Sequence, residues 1–276
     1  MLKNLMKYDL KSVFKIWWIG AVSSIVFSVA GGFAGGLYFT DWDIPEPILV
    51  IAIFALVLVF LGLAAFTVFS DILVYLRYYK NLYTDEGYLT FTLPAKRGTV
   101  LKSKVLLSFI TFSATSFVLF IDSVIISVIA GREYWFTKEF IEDFKYFIEE
   151  FLAYDYYYYA FIYLALGIIL FALLALAGYL FAYGCIAIAS VLVKKAKIAV
   201  AIGIYYGATS VLSFIMTIFY LFGMTSLMNL FYRLTEVGTL NSIMMLLIMV
   251  IFLLCAFCCL LYYLTLWCID KKLNLA

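Results

Sequence analysis

Six long apolar stretches, separated by shorter polar segments, make up most of this chain. Each is long enough for a helix to cross a hydrocarbon core about 30 Å thick, which takes about 20 residues. The alternating strands of a closed barrel are absent from the sequence. The pattern predicts an all-α integral membrane protein, a single domain over residues 1–276 with six transmembrane helices. The stretches cover residues 16–39, 48–76, 105–130, 158–191, 198–222 and 243–268.

Two shorter segments have one apolar and one charged face. Residues 1–15 predict an N-terminal interfacial amphipathic helix along the cytoplasmic surface, and the alternative is a basic segment that only anchors the topology. Residues 132–157 predict an extracellular amphipathic helix, capped by Thr137, that either rests on the outer leaflet or covers the mouth of a pathway. Residues 223–242 are expected to form a second extracellular loop.

Basic residues are distributed unequally between alternate connections. Of the 19 Lys and Arg residues, 15 fall in the segment before the first span, in the second-to-third and fourth-to-fifth connections, or after the sixth span. The remaining connections hold four basic residues and eleven acidic ones. The positive-inside rule therefore predicts that both termini are cytoplasmic. The expected location is the cell membrane, with the chain crossing it several times.

Composition excludes several classes of protein. The chain is 67% hydrophobic and 13% charged, whereas a soluble domain is about half apolar and about a quarter charged. It has no histidine, which excludes His-based zinc sites, Ser/His and Cys/His hydrolases and histidine proton relays. All five cysteines lie in apolar stretches, where they predict packing. We expect no enzymatic activity, metal or cofactor in this chain, lipid as its surroundings, and no nucleic-acid partner.

Two acidic residues lie within or at the ends of apolar stretches, Asp122 in the third and Asp71 in the second. A charge near the bilayer centre costs about 2.5–3.5 kcal/mol on insertion scales, so acids there are candidates for a transport pathway or a contact between helices. The structural alternatives are an interfacial position for Asp71 and a protonated or snorkelling side chain for Asp122.

Small residues recur every four positions on the first and fifth predicted spans. This spacing lets helix backbones approach closely. It predicts either packing within the chain or an interface between subunits. The two stripes are Gly20, Ser24, Ser28, Gly32 and Gly36, and Ala199, Gly203 and Gly207.

The longest predicted cytoplasmic connection covers residues 77–104 and reads RYYKNLYTDEGYLTFTLPAKRGTVLKSK. It is neither of low complexity nor uniformly polar, so we expect it to be folded and to dock on a soluble partner. Acidic residues and a glycine can turn the chain, apolar residues form a short face, and a proline ends that face. The candidate coupling residues are Asp85, Glu86, Gly87, Tyr88, Leu93, Pro94 and Arg97.

This connection resembles the corresponding loop in permease subunits of type-2 ABC exporters, most closely those of low-GC Gram-positive bacteria. The matching positions are Glu86, Gly87, Leu89, Leu93, Pro94, Arg97 and Lys104. The resemblance extends more loosely to the interfacial helix, the six spans and the cytoplasmic termini. One departure is that the outer helix lies between the third and fourth spans, whereas the family more often elaborates the outer connection between the fifth and sixth.

The resemblance implies a complex in the bacterial cell membrane. Two permease subunits, identical or homologous, would lie side by side, and each connection would engage one of two cytoplasmic ABC ATPase subunits. ATP and Mg²⁺ would bind on the ATPase, and substrate would move outward between the permeases. The sequence is consistent with that division, because no G-x-x-x-x-G-K-[ST] phosphate-binding motif occurs in it.

The sequence is also compatible with other functions. An ion- or proton-coupled secondary transporter would rely on Asp122 and Asp71, but such proteins usually carry an internal repeat with broken helices, and no repeat is detectable. A non-transporting membrane sensor or a membrane enzyme is the other alternative, although no catalytic constellation occurs. The sequence carries no substrate signature, because its apolar composition suits lipid contact as well as an apolar cargo.

Overall fold

The chain is helical wherever its structure is described. The computed structural model describes residues 2–39, 45–84, 86–87, 92, 96–135, 137–153, 156–193, 196–235 and 239–271. Within these ranges the residues are helical apart from short turns, and no strand occurs in them. The predicted all-α class is confirmed for the described residues.

Eight helices are described in full. Six of them, all except α4 and α5, contain segments that are long and apolar enough to cross a membrane. The described chain therefore has the architecture of a multi-pass membrane protein, as predicted. The helices are α1 (Leu2–Phe39), α2 (Glu46–Tyr83), α3 (Arg97–Ala130), α4 (Arg132–Trp135), α5 (Lys138–Ala153), α6 (Tyr156–Leu192), α7 (Lys197–Thr235) and α8 (Thr239–Lys271).

The long helices have apolar side chains on their outer surfaces. Phe60, Phe161 and Phe252 are between 66% and 73% exposed. In water, each Å² of such surface would cost about 25 cal/mol, whereas lipid chains cover it without that cost. The exposed phenylalanines thus fit the membrane environment inferred from composition.

The N-terminal segment does not form a separate helix. The prediction of a distinct amphipathic helix over residues 1–15 is wrong in this respect, because residues 2–15 continue without a break into α1. Val13 is buried in a protein core, and the buried Asp9 carboxylate lies 2.9 Å from the Arg77 guanidinium of α2. The apolar face that predicted lipid contact therefore packs partly on neighbouring helices.

The predicted second extracellular loop is mostly helical. The sequence predicted a loop over residues 223–242, but α7 continues to Thr235 and α8 begins at Thr239. α7 has 39 residues, or about 58 Å at about 1.5 Å per residue, which exceeds the hydrocarbon thickness. Helix ends in this chain therefore do not coincide with the ends of the apolar stretches. Residues 236–238 lie outside the described ranges.

Local signals account for several helix starts. α2 begins directly after Pro45, whose carbonyl accepts a hydrogen bond from the N–H of Ile48 at 2.9 Å. Glu46 lies in its first turn, where the helix dipole stabilises a negative charge. The Thr137 hydroxyl oxygen accepts a hydrogen bond from the N–H of Phe140 at 3.2 Å. The amphipathic helix that the sequence predicted with this cap is present as α5, but it is shorter than the predicted range of 132–157, because residues 132–135 form the separate helix α4.

The described chain divides into two compact units. Unit 1 comprises residues 3–77 and 106–157, and unit 2 comprises residues 78–105 and 158–276. In unit 1 the Trp17 ring lies 5.8 Å from the Phe66 ring, and its indole N–H donates a hydrogen bond to the Thr115 hydroxyl at 3.0 Å. A buried indole needs such an acceptor. The core around it consists of Val13, Trp17, Ala21, Phe66 and Leu107.

In unit 2, α6 and α8 run side by side in the same direction. The Cys258 thiol of α8 lies 3.8 Å from the carbonyl of Leu173 on α6. Further along both helices, a Cβ built at Gly184 would lie 3.5 Å from the Thr265 hydroxyl, a normal van der Waals distance. Partners on the two helices rise together in residue number, which fixes the parallel direction. α6 and α8 are therefore in contact near Gly184 and Thr265.

Candidate functional site

The connection between α2 and α3 is shorter than the sequence predicted. α2 continues to Tyr83 and α3 begins at Arg97, so both flanks of the predicted 77–104 loop are helical. The remaining connection covers residues 84–96. Within it the structure describes residues 84, 86–87, 92 and 96, of which 86, 87 and 92 are helical. The candidate coupling residues Asp85, Tyr88, Leu93 and Pro94 lie outside the described residues.

Gly87 lies tightly against the end of α2. Its N–H donates a hydrogen bond to the carbonyl of Thr84 at 2.7 Å. A Cβ added at this position would lie 2.6 Å from the carbonyl oxygen of Leu82, closer than real Cβ atoms approach. The backbone here therefore turns back on the helix in a way that only glycine permits. The neighbouring Glu86 side chain is exposed.

Aromatic rings hold the end of α2 against α6. Tyr78 of α2 stacks on Tyr183 of α6, with ring centroids 3.9 Å apart and ring planes 17° apart. Both side chains are fully buried. The hydroxyls of Tyr78 and Tyr83 are 3.1 Å apart and share a hydrogen bond. Aromatic pairs contribute about 0.5–1.5 kcal/mol beyond the area they bury, so this contact restrains the chain where it enters the connection.

Arg97 ties the start of α3 to the end of α8. Its Nη1 donates hydrogen bonds to the carbonyl oxygens of Ile269 at 3.0 Å and Asp270 at 2.6 Å. The Asp270 carboxylate lies 3.7 Å from the same nitrogen. The last carbonyls of a helix lack partners within the helix and carry partial negative charge, so a guanidinium stabilises them. Arg97 therefore caps α8 at the point where the chain leaves the connection.

Two tyrosine hydroxyls reinforce these contacts. Tyr262 of α8 donates a hydrogen bond to the carbonyl of Gly98, and Tyr183 donates one to the carbonyl of Lys104, both at 3.4 Å. These bonds are long and contribute less than the Arg97 cap. Tyr183 nevertheless contacts both flanks of the connection, because its ring lies on Tyr78 and its hydroxyl lies on α3.

Part of the connection faces outward. Glu86, Thr92 and Lys96 are exposed, whereas both flanks are fixed to helices of unit 2. The described part of the connection therefore presents polar side chains on its surface, beside flanks that are fixed to unit 2.

Asp122, one of the two pathway candidates, lies fully buried between α1 and α3. Its Oδ1 accepts a hydrogen bond of 2.9 Å from Ser28, whose hydroxyl also lies 2.8 Å from the carbonyl of Ile25. Its Oδ2 accepts no hydrogen bond from the described residues. Asp122 therefore makes a contact between helices, one of the two roles expected for it. The other candidate, Asp71, is half-buried on α2.

Replacing Ser28 by alanine is expected to destabilise unit 1, because the buried Asp122 carboxylate would lose its described hydrogen-bond donor. Such a loss costs about 1–3 kcal/mol. The matched control is Ser23→Ala, since Ser23 is exposed and donates only to the carbonyl of Ile19 in its own helix. Thermal unfolding of the two purified variants in the same detergent measures the difference. Equal unfolding temperatures would contradict a stabilising role for the Ser28–Asp122 contact.

The small-residue stripe on α1 lies against neighbouring helices. A Cβ at Gly32 would lie 2.6 Å from Cβ of Ile129, and Gly36 lies beside the backbone at the end of α3. Ser24 and Ser28 are buried on the same stripe. In this structure the stripe serves packing within the chain.

The stripe on α7 is open. Added Cβ atoms at Gly203 and Gly207 meet no described atom within 4 Å, and Ala199 is exposed. The alternative predicted for such stripes, an interface between subunits, therefore stays a prediction for α7.

Sequence reasoning missed the stacking of Tyr78 on Tyr183 beside the connection. Tyr78 and Tyr183 are two of many tyrosines in apolar stretches, and no local pattern pairs residues that far apart. The Asp9–Arg77 ion pair was only weakly indicated by the sequence, in which Asp9 is the acid in an otherwise basic N-terminal segment.

The described residues hold no cluster of three or more His, Cys, Asp or Glu side chains that could bind a metal ion. The five cysteines are not joined in disulfides. Comparison of the chain with known protein families, curated proteins and solved structures found no match.

Proposed function

We propose that this chain is the transmembrane permease subunit of a bacterial type-2 ABC exporter. It would form the translocation pathway in the cell membrane and couple through the α2–α3 connection to a separate cytoplasmic ATPase. The sequence resemblance between Glu86 and Lys104 and the six apolar helices support this function.

One structural observation carries the proposal furthest. The connection is fixed by Tyr78 on one side and Arg97 on the other, while Glu86 and Lys96 remain exposed between them. A passive tether between two spans needs no such fixation. A segment that must receive force from a soluble partner does need it, because a slack segment would absorb the movement.

In the proposed mechanism the partner supplies the energy. The sequence lacks a phosphate-binding loop, so ATP and Mg²⁺ would bind on two ATPase subunits. Closure of the ATPase pair would move the connections and thereby reorient the spans as rigid bodies. A second permease, identical or homologous, would complete the pathway.

The mass of the intact complex tests this function. The tagged chain would be extracted gently from its native membrane and measured by native mass spectrometry. We expect a complex of two permeases and two ATPase chains that carry the phosphate-binding motif, and the mass also shows whether the permeases are identical. Recovery without any ATPase would contradict the proposal. Transport that persists without ATP but stops when ion gradients are removed would favour a secondary transporter.

Both termini are expected on the cytoplasmic side, because most basic residues lie in the connections assigned to that side. Single cysteines would replace Ser12, Asn274 and Glu142 in a background without the five native cysteines. A membrane-impermeant thiol reagent should label position 142 in intact cells and the other two only after permeabilisation. The opposite labelling pattern would overturn this topology.

A further inference from the structure

Two structural links join the α2–α3 connection to the spans of unit 2. We define the aromatic anchor as Tyr78 stacked on Tyr183, and the arginine cap as Arg97 on the carbonyls of Ile269 and Asp270. We propose that these links deliver movement of the connection to α6 and α8, with Tyr183 and Arg97 as the positioning residues. This inference rests on the proposed function for the source of the movement.

The aromatic anchor prevents the end of α2 from moving independently of α6. Both tyrosine side chains are 0% exposed, so the rings are enclosed on every side. Stacking at 3.9 Å leaves no room for a third group between the two rings. Since close-packed interiors transmit displacement instead of absorbing it, a shift of Tyr78 displaces Tyr183 and with it α6.

The arginine cap plays the same part on the α3 side. Arg97 binds backbone carbonyls of α8, so no flexible partner side chain intervenes. Hydrogen bonds from a charged donor are about twice as strong as neutral ones. Displacement of the α3 start is therefore passed to the end of α8.

The aromatic anchor ends on α6 and the arginine cap ends on α8, and these two helices contact each other. They are in contact beside the anchor, where a Cβ added at Gly184 would lie at a normal van der Waals distance of 3.5 Å from the Thr265 hydroxyl. The Tyr183 hydroxyl also reaches the carbonyl of Lys104 on α3. Tyr183 thus joins both flanks of the connection to a single pair of spans, and loss of its ring should affect the coupling more than loss of its hydroxyl.

The first test perturbs the connection and reads the spans in the purified full chain. Gly87→Pro should speed hydrogen exchange around residues 180–186 and 262–270. In a protein that already carries Tyr183→Leu, the increase in exchange rate caused by Gly87→Pro should be about 2- to 30-fold smaller at these residues, because the aromatic anchor is already broken. In combination with Tyr206→Leu, a change at a tyrosine of α7 that is 67% exposed, Gly87→Pro should keep its full effect.

The second test uses the complex with its ATPase. Arg97→Gln and Tyr183→Leu should leave the ATPase bound and hydrolysing while transport per ATP falls by about 2- to 30-fold. Arg97→Lys retains the cation and Tyr183→Phe retains the ring, so both variants should keep most of the parental transport per ATP. Lys102→Gln removes an exposed cation from the same helix and should have no effect.

The results separate the inference from the proposed function. If Gly87→Pro changes α6 and α8 equally with and without Tyr183→Leu, or if transport per ATP is unchanged in both variants, the links do not transmit movement. If no ATPase binds the parental chain, the proposed function fails. The exchange measurement alone then decides whether the links join the connection to the spans.

Discussion

Replacing Gly87 by proline is expected to abolish transport while the protein still inserts into the membrane. Proline removes the N–H that donates to the Thr84 carbonyl, and its ring includes a Cβ that would lie 2.6 Å from the Leu82 carbonyl oxygen. A helical proline costs about 3 kcal/mol or more, which is enough to unfold this turn. Transport into inverted vesicles, normalised to the amount of inserted protein, measures the effect.

A milder pair of substitutions provides the control. Gly87→Ala should also reduce transport, because its Cβ cannot avoid the Leu82 carbonyl. Gly178→Ala should not, because no atom lies within 4 Å of a Cβ added there. Equal transport by both alanine variants would show that the tight turn is not needed.

Charge reversal at Glu86 tests docking of the ATPase on the connection without disturbing the backbone. Reversing a charge at a desolvated contact costs about 2–5 kcal/mol, so Glu86→Lys should weaken ATPase binding about 30-fold or more. Glu142→Lys makes the same reversal on α5 and should leave binding unchanged. Parental transport by both Glu86→Lys and Gly87→Pro, with the ATPase still bound, would make the connection a passive tether.

Gly32→Leu is expected to cause the largest loss of stability. Its Cβ would lie 2.6 Å from Cβ of Ile129, so α1 and α3 would have to separate. Overpacking of this kind typically costs about 1–3 kcal/mol, and more where the backbone cannot move. The midpoint of unfolding in detergent, measured by denaturant titration, would fall accordingly.

Gly203→Leu is the matched control for Gly32→Leu. Nothing lies within 4 Å of its added Cβ, so the free energy of unfolding of the single chain should change by less than about 0.5 kcal/mol. If Gly32→Leu were as stable as Gly203→Leu, the close approach of α1 and α3 would not contribute to the fold. Dissociation of a dimer by Gly203→Leu alone would assign the α7 stripe to a subunit interface.

Features encoded by local spacing could be predicted from the sequence. The six apolar helices follow from uninterrupted apolar stretches, because a backbone in lipid must satisfy its hydrogen bonds internally. α5 follows from its amphipathic pattern and from Thr137, whose cap depends only on residues three positions apart. For Gly32, the spacing predicted two alternatives, packing within the chain and an interface between subunits, and it did not decide between them.

Helix ends and long-range contacts could not be predicted in the same way. Hydropathy marks where a helix enters lipid, but α1 and α7 extend well beyond their apolar stretches. The separate helix expected at residues 1–15 was therefore wrong, as was the loop expected at 223–242. The partners of Tyr78 and Arg97 lie more than 100 residues away, and only folding brings them together.

Cross-linking from the connection in living cells tests the central claim most directly. A photoreactive amino acid would be placed at Glu86, with Glu142 of α5 as the control position, and adducts would be identified by mass spectrometry. We expect position 86 to yield an adduct with a protein that carries the ATPase phosphate-binding motif, and position 142 to yield none. An ATPase adduct from neither position, or from both equally, would contradict docking of an ATPase on the α2–α3 connection.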